Sequence, residues 1–476
     1  MSLSTSLSSA LSGLNSAARS AEVVSNNIAN ALNESYARRE LVLSSNAYSG
    51  VRISGVKRIL DQAVLNDRRM SMAEAGNAST SLAFLRRVET TIGTPDQASS
   101  LSGRIAALEA TILDAASRPE SEAHLSKVLT AAQSVAQTFN TASNDIQAAR
   151  SDADRTIAIE VSTLNTALDL VADLNRQIMT VGASGRDISP LLDQRQQLVD
   201  QIATIVPIRE VPRDNNQIAI FTAGGAILLD GAPSHVEFSP AGLITADMTV
   251  ASGALSTLSI NGQPADRMLA GGSLSAHFQV RDVLAVEAQA QLDALARNLI
   301  ERMADPSADP TLAAGAPGLF TDLGAMPDPL DEAGLAGRLR VNTAADPASG
   351  GDLWRLRAGL GATAPGEAGD ARRLNALAEA LSQPGTTASG NFGATSKSFG
   401  GLAGEMISML GTQRQGLETR ASFATARVET LRLAELQGGV DTDQELQRLL
   451  LIEQAYSANA RVIQAVDDMI NTILRL

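Results

Sequence analysis

Leu3-Ser-Thr-Ser-Leu7-Ser-Ser-Ala10-Leu-Ser-Gly-Leu14-Asn-Ser-Ala17-Ala-Arg-Ser-Ala21-Glu-Val-Val24-Ser-Asn-Asn-Ile28-Ala-Asn-Ala31 places its apolar residues at alternating steps of four and three. Leu3, Leu7, Ala10, Leu14, Ala17, Ala21, Val24, Ile28 and Ala31 therefore share one ridge of a helix, the seam by which helices pack along each other at a shallow angle. The residues between them are mainly Ser and Asn, small enough to let neighbours approach from several sides. The other end repeats the rhythm with Leu449, Ile452, Tyr456, Asn459, Ile463, Val466, Ile470 and Ile473. Asn459 is the polar member that can fix register. Gly438-Gly439 separates this helix from the one before, and Thr442-Asp-Gln-Glu445 reads as a capping box that starts it at Thr442. A narrow stripe of small side chains returns less than the ordering of its helix costs. Both ends are therefore expected to be largely disordered in a free monomer and to order on assembly. The expected assembly interface is Leu3, Leu7, Leu14, Val24 and Ile28 with Leu449, Ile452, Tyr456, Ile463, Val466, Ile470 and Ile473.

The apolar content fits elongated helical layers. Hydrophobic residues make up 44% of the 476 residues but aromatic ones only 3%, so thick cores and aromatic-lined pockets are not expected. The net charge of −14 repels phosphate backbones, which argues against a nucleic-acid partner. Lysine occurs only at Lys57, Lys127 and Lys397, so no polybasic cluster addresses an anionic membrane. The absence of cysteine removes disulfides, thiolate metal sites and cysteine nucleophiles together. No stretch approaches the roughly 18 apolar residues of a transmembrane helix, and the first residues lack the pattern of a cleaved secretory signal. No membrane insertion is expected.

The interior begins as helix. Residues 62–92 and 99–116 read as helices, and 121–180 as one very long helix or two collinear ones. Another opens at Ser189-Pro190, with Leu191, Leu192, Arg195, Leu198, Val199 and Ile202 on one face. The character changes at Pro207. Short β-type runs at 217–222, 226–229, 235–238, 249–250 and 255–260 alternate with turn signals such as Asp230-Gly231 and Asn261-Gly262. Helix resumes at 273–304 and again at 401–436. The Gly-, Pro-, Ala- and Asp-rich stretch 305–398 reads as a long irregular excursion with short helices near 331–337 and 371–382. The fold class is thus mainly α with an inserted β domain (α+β): terminal coiled-coil helices, a helical-bundle frame and a small outer β domain. The expected domains are nested: residues 1–60 with 437–476 for assembly, 61–206 with 271–436 as frame, and 207–270 inserted.

A search for chemistry finds no catalytic, cofactor-binding or metal-ligating constellation. His124, His235 and His277 are far apart and none belongs to a ligand pair. No serine sits in a nucleophile elbow, and Gly359-Leu-Gly361 lacks the strand–turn–helix context of a nucleotide loop. Asp441, Asp443 and Glu445 alternate like the start of a calcium loop but lack its glycine and distal glutamate. Trp354 reads as a lone core or interface aromatic. The chain is expected not to be an enzyme and to carry no cofactor.

Several segments resemble bacterial flagellar axial proteins. Leu11-Ser-Gly-Leu-Asn-Ser-Ala17 and Ser25-Asn-Asn-Ile-Ala-Asn30 are similar to their N-terminal motif, followed by Ser35-Tyr36 and Arg38-Arg39. Ala31-Leu-Asn-Glu-Ser-Tyr36 departs from that motif in lacking a Gly before the tyrosine. Gly50-Val-Arg-Ile-Ser-Gly-Val-Lys-Arg-Ile-Leu-Asp-Gln62, Leu191-Leu-Asp-Gln-Arg-Gln-Gln-Leu-Val-Asp200, Phe221-Thr-Ala-Gly-Gly225, Gly271-Gly-Ser-Leu-Ser-Ala-His-Phe-Gln-Val-Arg-Asp282, Gly439-Val440 and Glu453-Gln-Ala-Tyr-Ser-Ala-Asn-Ala-Arg-Val-Ile-Gln464 resemble the FlgK family of hook-associated, hook–filament junction proteins. The resemblance covers about two thirds of the chain and is nearly absent from 305–398. It implies a structural role in flagellum assembly and motility: type III export with an uncleaved signal, and an extracellular ring of copies at the hook tip. The implied partners are further copies of the chain, the flagellar hook protein, a second hook–filament junction protein, and a cytoplasmic export chaperone on the C-terminal helix. Alternatives are another axial subunit (hook protein or second junction protein), an enzyme domain within 305–398, and a secreted adhesin.

Overall fold

The computed structural model describes residues 3–33, 36–46 and 50–475. Ser35, part of the motif noted before Tyr36, lies outside them. The first helix, α1 (Leu3–Ala29), leads into a hairpin, β1 (Arg39–Asn46) with β2 (Gly50–Arg58), whose antiparallel register opposes Arg39 to Arg58. Four helices follow: α2 (Gln62–Ile92), α3 (Leu101–Ser117), α4 (Glu122–Ala183) and α5 (Ser189–Ile205). The long stretch read as one helix or two is thus one helix of 62 residues. It qualifies as a spine because one apolar face, from Leu125 to Ile178, is buried along its whole length.

After α5 the chain forms β3 (Ile208–Pro212), β4 (Ile218–Thr222), β5 (Ile227–Asp230) and β6 (Ala232–Pro233), one antiparallel sheet in sequence order. A second small sheet holds β7 (Val236–Glu237), β8 (Ser259–Ile260) and β9 (Gln263–Pro264). Residues 249–250 and most of 255–260, read as short β-type runs, are turns and irregular backbone instead. These strands share a core with Ile157, Leu164 and Leu168 of α4 and Val199 and Ile202 of α5. Next come α6 (Gly272–Gln279), one π-helical turn at Val280–Leu284, and α7 (Ala285–Ala304). Gly272, at φ +71, lies so close to the Ile205 carbonyl that an added Cβ would sit 2.1 Å from its oxygen, so glycine is required there.

The π turn aims Arg281 into the protein, where it is fully buried. Its guanidinium donates to Asp154 Oδ1 of α4 at 2.7 Å and to the Ser256 carbonyl at 2.9 Å, and it lies over the Phe278 ring at 4.8 Å. Arg150 of α4 donates to the carbonyls of Arg281, Thr245 and Met248. Two buried cations thus fasten the loops of the inserted strands to the spine.

The stretch 305–398 is more ordered than its composition implied. It contains β10 (Phe320–Asp322), α8 (Leu335–Arg338), β11 (Leu339–Val341), α9 (Arg355–Ala358) and α10 (Arg372–Ser382). Leu319, Phe320, Leu335, Leu339, Leu356, Leu374, Leu377 and Leu381 enter the same core as α3, α4 and α7. A buried ion pair, Arg373 to Asp309 at 2.8 Å, closes it from within. The last two helices are α11 (Phe399–Gln437) and α12 (Thr442–Leu474). α11 lies antiparallel to α2, with Arg68 to Glu435, Arg86 to Glu418 and Arg414 to Glu89 as rungs.

Asp293 of α7 ties the irregular stretch to the frame. Its carboxylate accepts from the backbone N–H groups of Gly334 (2.8 Å) and Ala336 (2.7 Å) and from Gln289 Nε2 (2.8 Å). Burial nevertheless pushes its pKa up to about 6, because desolvation outweighs these donors. The folded protein therefore holds this proton more tightly than the unfolded chain does. The group's stabilisation is complete below the ordinary aspartate value and is lost as pH rises toward about 6. The variant Asp293→Asn should gain in melting temperature relative to the parent between about pH 4 and 7. A difference independent of pH would contradict this origin.

Candidate assembly interface

α1 and α12 pack against each other in antiparallel fashion, Asn27 opposite Glu445 at one end and Gly13 opposite Asn459 further along. Each terminal helix is a packing partner of the other within one chain. Small residues permit the close approach. Ala10, Ser16, Ala17, Val23 and Val24 are buried along α1, and a Cβ added to Gly13 would fall 2.7 Å from Asn459 Oδ1. Asn459 lies against this glycine, while its amide donates to the Ala455 carbonyl of its own helix.

The fixed end of the pair is polar. Asn27 is fully buried, and its Nδ2 donates to Glu445 Oε2 at 3.0 Å and to the Arg39 carbonyl at 2.9 Å. Its Oδ1 accepts from the Arg39 N–H at 3.0 Å and the Tyr36 hydroxyl at 2.8 Å. Burial raises the Tyr36 pKa, so that hydroxyl keeps its proton and remains a donor. Glu445 is fully buried as well, with Arg38 Nη1 at 3.5 Å and Arg448 Nη1 at 3.3 Å. One amide thus joins α1, the hairpin and α12, satisfying every polar atom it has.

The capping-box reading is corrected in its details. The helix does begin at Thr442, but the N-cap is Asp441, whose carboxylate accepts from the N–H groups of Asp443 and Gln444. Glu445 is thereby free of a capping role and turns inward. Heptad spacing missed Asn27, Tyr36, Arg38 and Glu445 because they are polar. The Asn26-Asn27 pair beside the seam residue Ile28 was the available signal.

The seam residues divide into three groups. Val24 and Val466 are buried, while Leu3, Leu7, Leu14, Ile28, Leu449, Ile452 and Ile463 are half-buried. Tyr456, Ile470 and Ile473 are exposed, Ile473 at 59%. The α1–α12 pair therefore covers only part of the predicted interface. A further ridge on α12 stays open altogether: Leu451, Ala455, Ala458, Val462, Ala465 and Met469, again at alternating steps of four and three. Asn27→Ala would leave the Glu445 carboxylate and the Arg39 N–H buried without their partner, at a cost on the order of 3 kcal/mol. Amide exchange should then show α1 and α12 losing protection while α4 keeps its own. Unchanged protection of α12 would contradict the role given to Asn27.

Comparison with known proteins finds family models that match two stretches of the chain. The model of the flagellar hook-associated protein FlgK helical domain matches residues 85–319. The model of the flagellar basal body rod FlgEFG protein C-terminal matches residues 437–476, which include α12. Flagellar hook-associated protein 1 of Bacillus subtilis (strain 168) is 22% identical over 94% of this chain and 93% of its own length. The protein of the same name from Salmonella typhimurium is 27% identical over 49% of this chain and 44% of its own, so that match spans less than half of the relative. A solved structure of the flagellar hook junction protein FlgK from Burkholderia pseudomallei aligns with 54% of this chain and 46% of that one, with TM-score 0.44 and 20% identity. On the helical-domain model and the near full-length relative, the chain belongs to the FlgK family of flagellar hook-associated proteins.

Proposed function

We propose that this chain is a structural, non-catalytic subunit of the bacterial flagellum that assembles at the hook tip and connects hook to filament. The open ridge Leu451–Met469 on α12, beside a seam only half covered by α1, is the observation that carries this reading. A helix that packs on one partner and leaves a second heptad ridge bare is built for a second helix. Burial of the larger apolar side chains would supply about 1.5–3 kcal/mol each, summed over every copy in a ring. In this reading residues 1–60 and 437–476 form the assembly domain, 61–206 and 271–436 the frame, and 207–270 an outward insertion. The relatives' name, hook-associated protein, supports the placement at the hook.

The partners in this proposal are further copies of the chain, the hook protein below, a second hook–filament junction protein above, and a cytoplasmic chaperone that covers α12 before export. Delivery is through the flagellar type III apparatus to the cell exterior. The chaperone's role has a physical basis, since the bare ridge of α12 would otherwise pair with another copy.

A strain deleted for this chain should build hooks, lack filaments and release unpolymerised filament protein into the medium. Complementation with Leu451→Glu plus Val462→Glu should leave that defect in place, although the purified variant keeps the parent's circular dichroism, because both residues are exposed in the monomer. Normal filaments and swimming in the complemented strain would overturn the proposal.

A further inference from the structure

The terminal helices and the frame meet at a joint that the chain crosses twice, at residues 59–61 and at 438–441. The terminal side is stiffened internally. Arg38 contacts Glu40 at 2.9 Å and Glu445 at 3.5 Å, and Arg448 contacts Glu40 at 3.0 Å, so that the hairpin and α12 are pinned together above the Asn27 junction. The frame side is stiffened as well. Arg69, 1% exposed, binds Asp200 of α5 and Glu210 of β3, each at 2.6 Å, while Arg68 joins Asp200 to Glu435 of α11. Between the two sides lies a cavity of about 480 Å³ bordered by Asn30, Tyr36, Leu60, Gln196, Glu435 and Gly439. Two stiff bodies joined by two short connections beside a cavity can swing unless something holds them.

Asp193 spans that joint. It projects from the first turns of α5, and its two oxygens contact the two arginines that face each other across the base of the hairpin. Arg39 Nη2 lies 2.6 Å from Oδ2, and Arg58 Nη2 lies 2.7 Å from Oδ1. Like charges placed opposite on a ladder repel, and one carboxylate between them converts repulsion into a bridge. Arg58 also donates to Gln196 Oε1, one turn further along α5, at 2.7 Å. All three charged side chains are largely buried, so the bridge is little screened by salt. Desolvation lowers the Arg58 pKa and Asp193 opposes that effect, so removal of the carboxylate would leave a poorly hydrated cation pair at the hinge.

We infer that Asp193 is a positioning residue: by bridging Arg39 and Arg58 it locks the joint and holds the terminal helix pair at one angle to the frame. The inference rests on the reading that this pair carries the assembly contacts, since only then does its angle matter to the flagellum.

The chain has no cysteine, so spin labels can be placed without a background. Exposed Thr166 of α4 and Gln464 of α12 would each be changed to Cys, labelled, and the distance distribution between them measured by pulsed electron spin resonance. The parent should give one narrow distribution. Asp193→Asn and, independently, Arg58→Gln should broaden it about twofold, while Asp193→Glu should largely restore it, with helical content unchanged throughout. A distribution as narrow in both disruptive variants as in the parent would overturn the inference, as would broadening that Asp193→Glu fails to reverse. Failure of the assembly reading would appear instead as normal filaments in the α12 ridge variant and would leave these distances unaltered.

Discussion

The structure depends on two narrow ridges of small residues meeting from opposite ends of the chain. A pair of helices rich in Ser, Ala and Asn buries little area per residue, so it holds only where backbones come close and polar atoms are fully matched. Gly13 supplies the close approach against Asn459, and Asn27 supplies the match against Glu445. The chain between them closes on that pair, and the spine α4 and the inserted strands lie between the two chain crossings, held by cores of their own.

Electrostatics divide along the same lines. Charged groups inside the frame and the insertion are buried and paired, as at Arg281 with Asp154 and Arg373 with Asp309. Such pairs contribute little net stability relative to apolar packing, but losing one partner is costly, so they specify a single arrangement of loops that have few large side chains. Around the joint, by contrast, one carboxylate serves two cations from a different body, and the geometry is one of orientation rather than core formation.

The sequence made the helices legible wherever apolar residues recurred at helical spacing, and the change to short strands at Pro207 was marked by Asp-Gly and Asn-Gly turns. Of residues 305–398 only the short helices near 331–337 and 371–382 were legible; the other core positions (Leu319, Phe320, Leu339 and Leu356) are separated by Gly and Pro and never form a periodic run. Their order comes from polar anchors such as Asp293 and Asp309, whose partners are remote in sequence. Heptad spacing made one ridge on each terminal helix legible, but not which part of it the chain covers for itself, nor the second ridge from Leu451 to Met469. Spacing fixes a face of a helix but not its occupant. Glu445 was misassigned for a related reason: a carboxylate three residues into a helix fits a local cap as well as a distant amide, and Asp441 had already taken the cap.

The separation of Asn27 from Glu445 has a kinetic side. The two residues lie 418 positions apart. At a synthesis rate of 5–20 residues per second, α1 leaves the ribosome about 20–80 s before its partner helix exists. Throughout that interval α1 has only the adjoining hairpin as a partner, through contacts such as Ser12 with the Val51 N–H and Asn27 with the Arg39 backbone. The face of α1 that α12 covers thus stays accessible until that helix has been made.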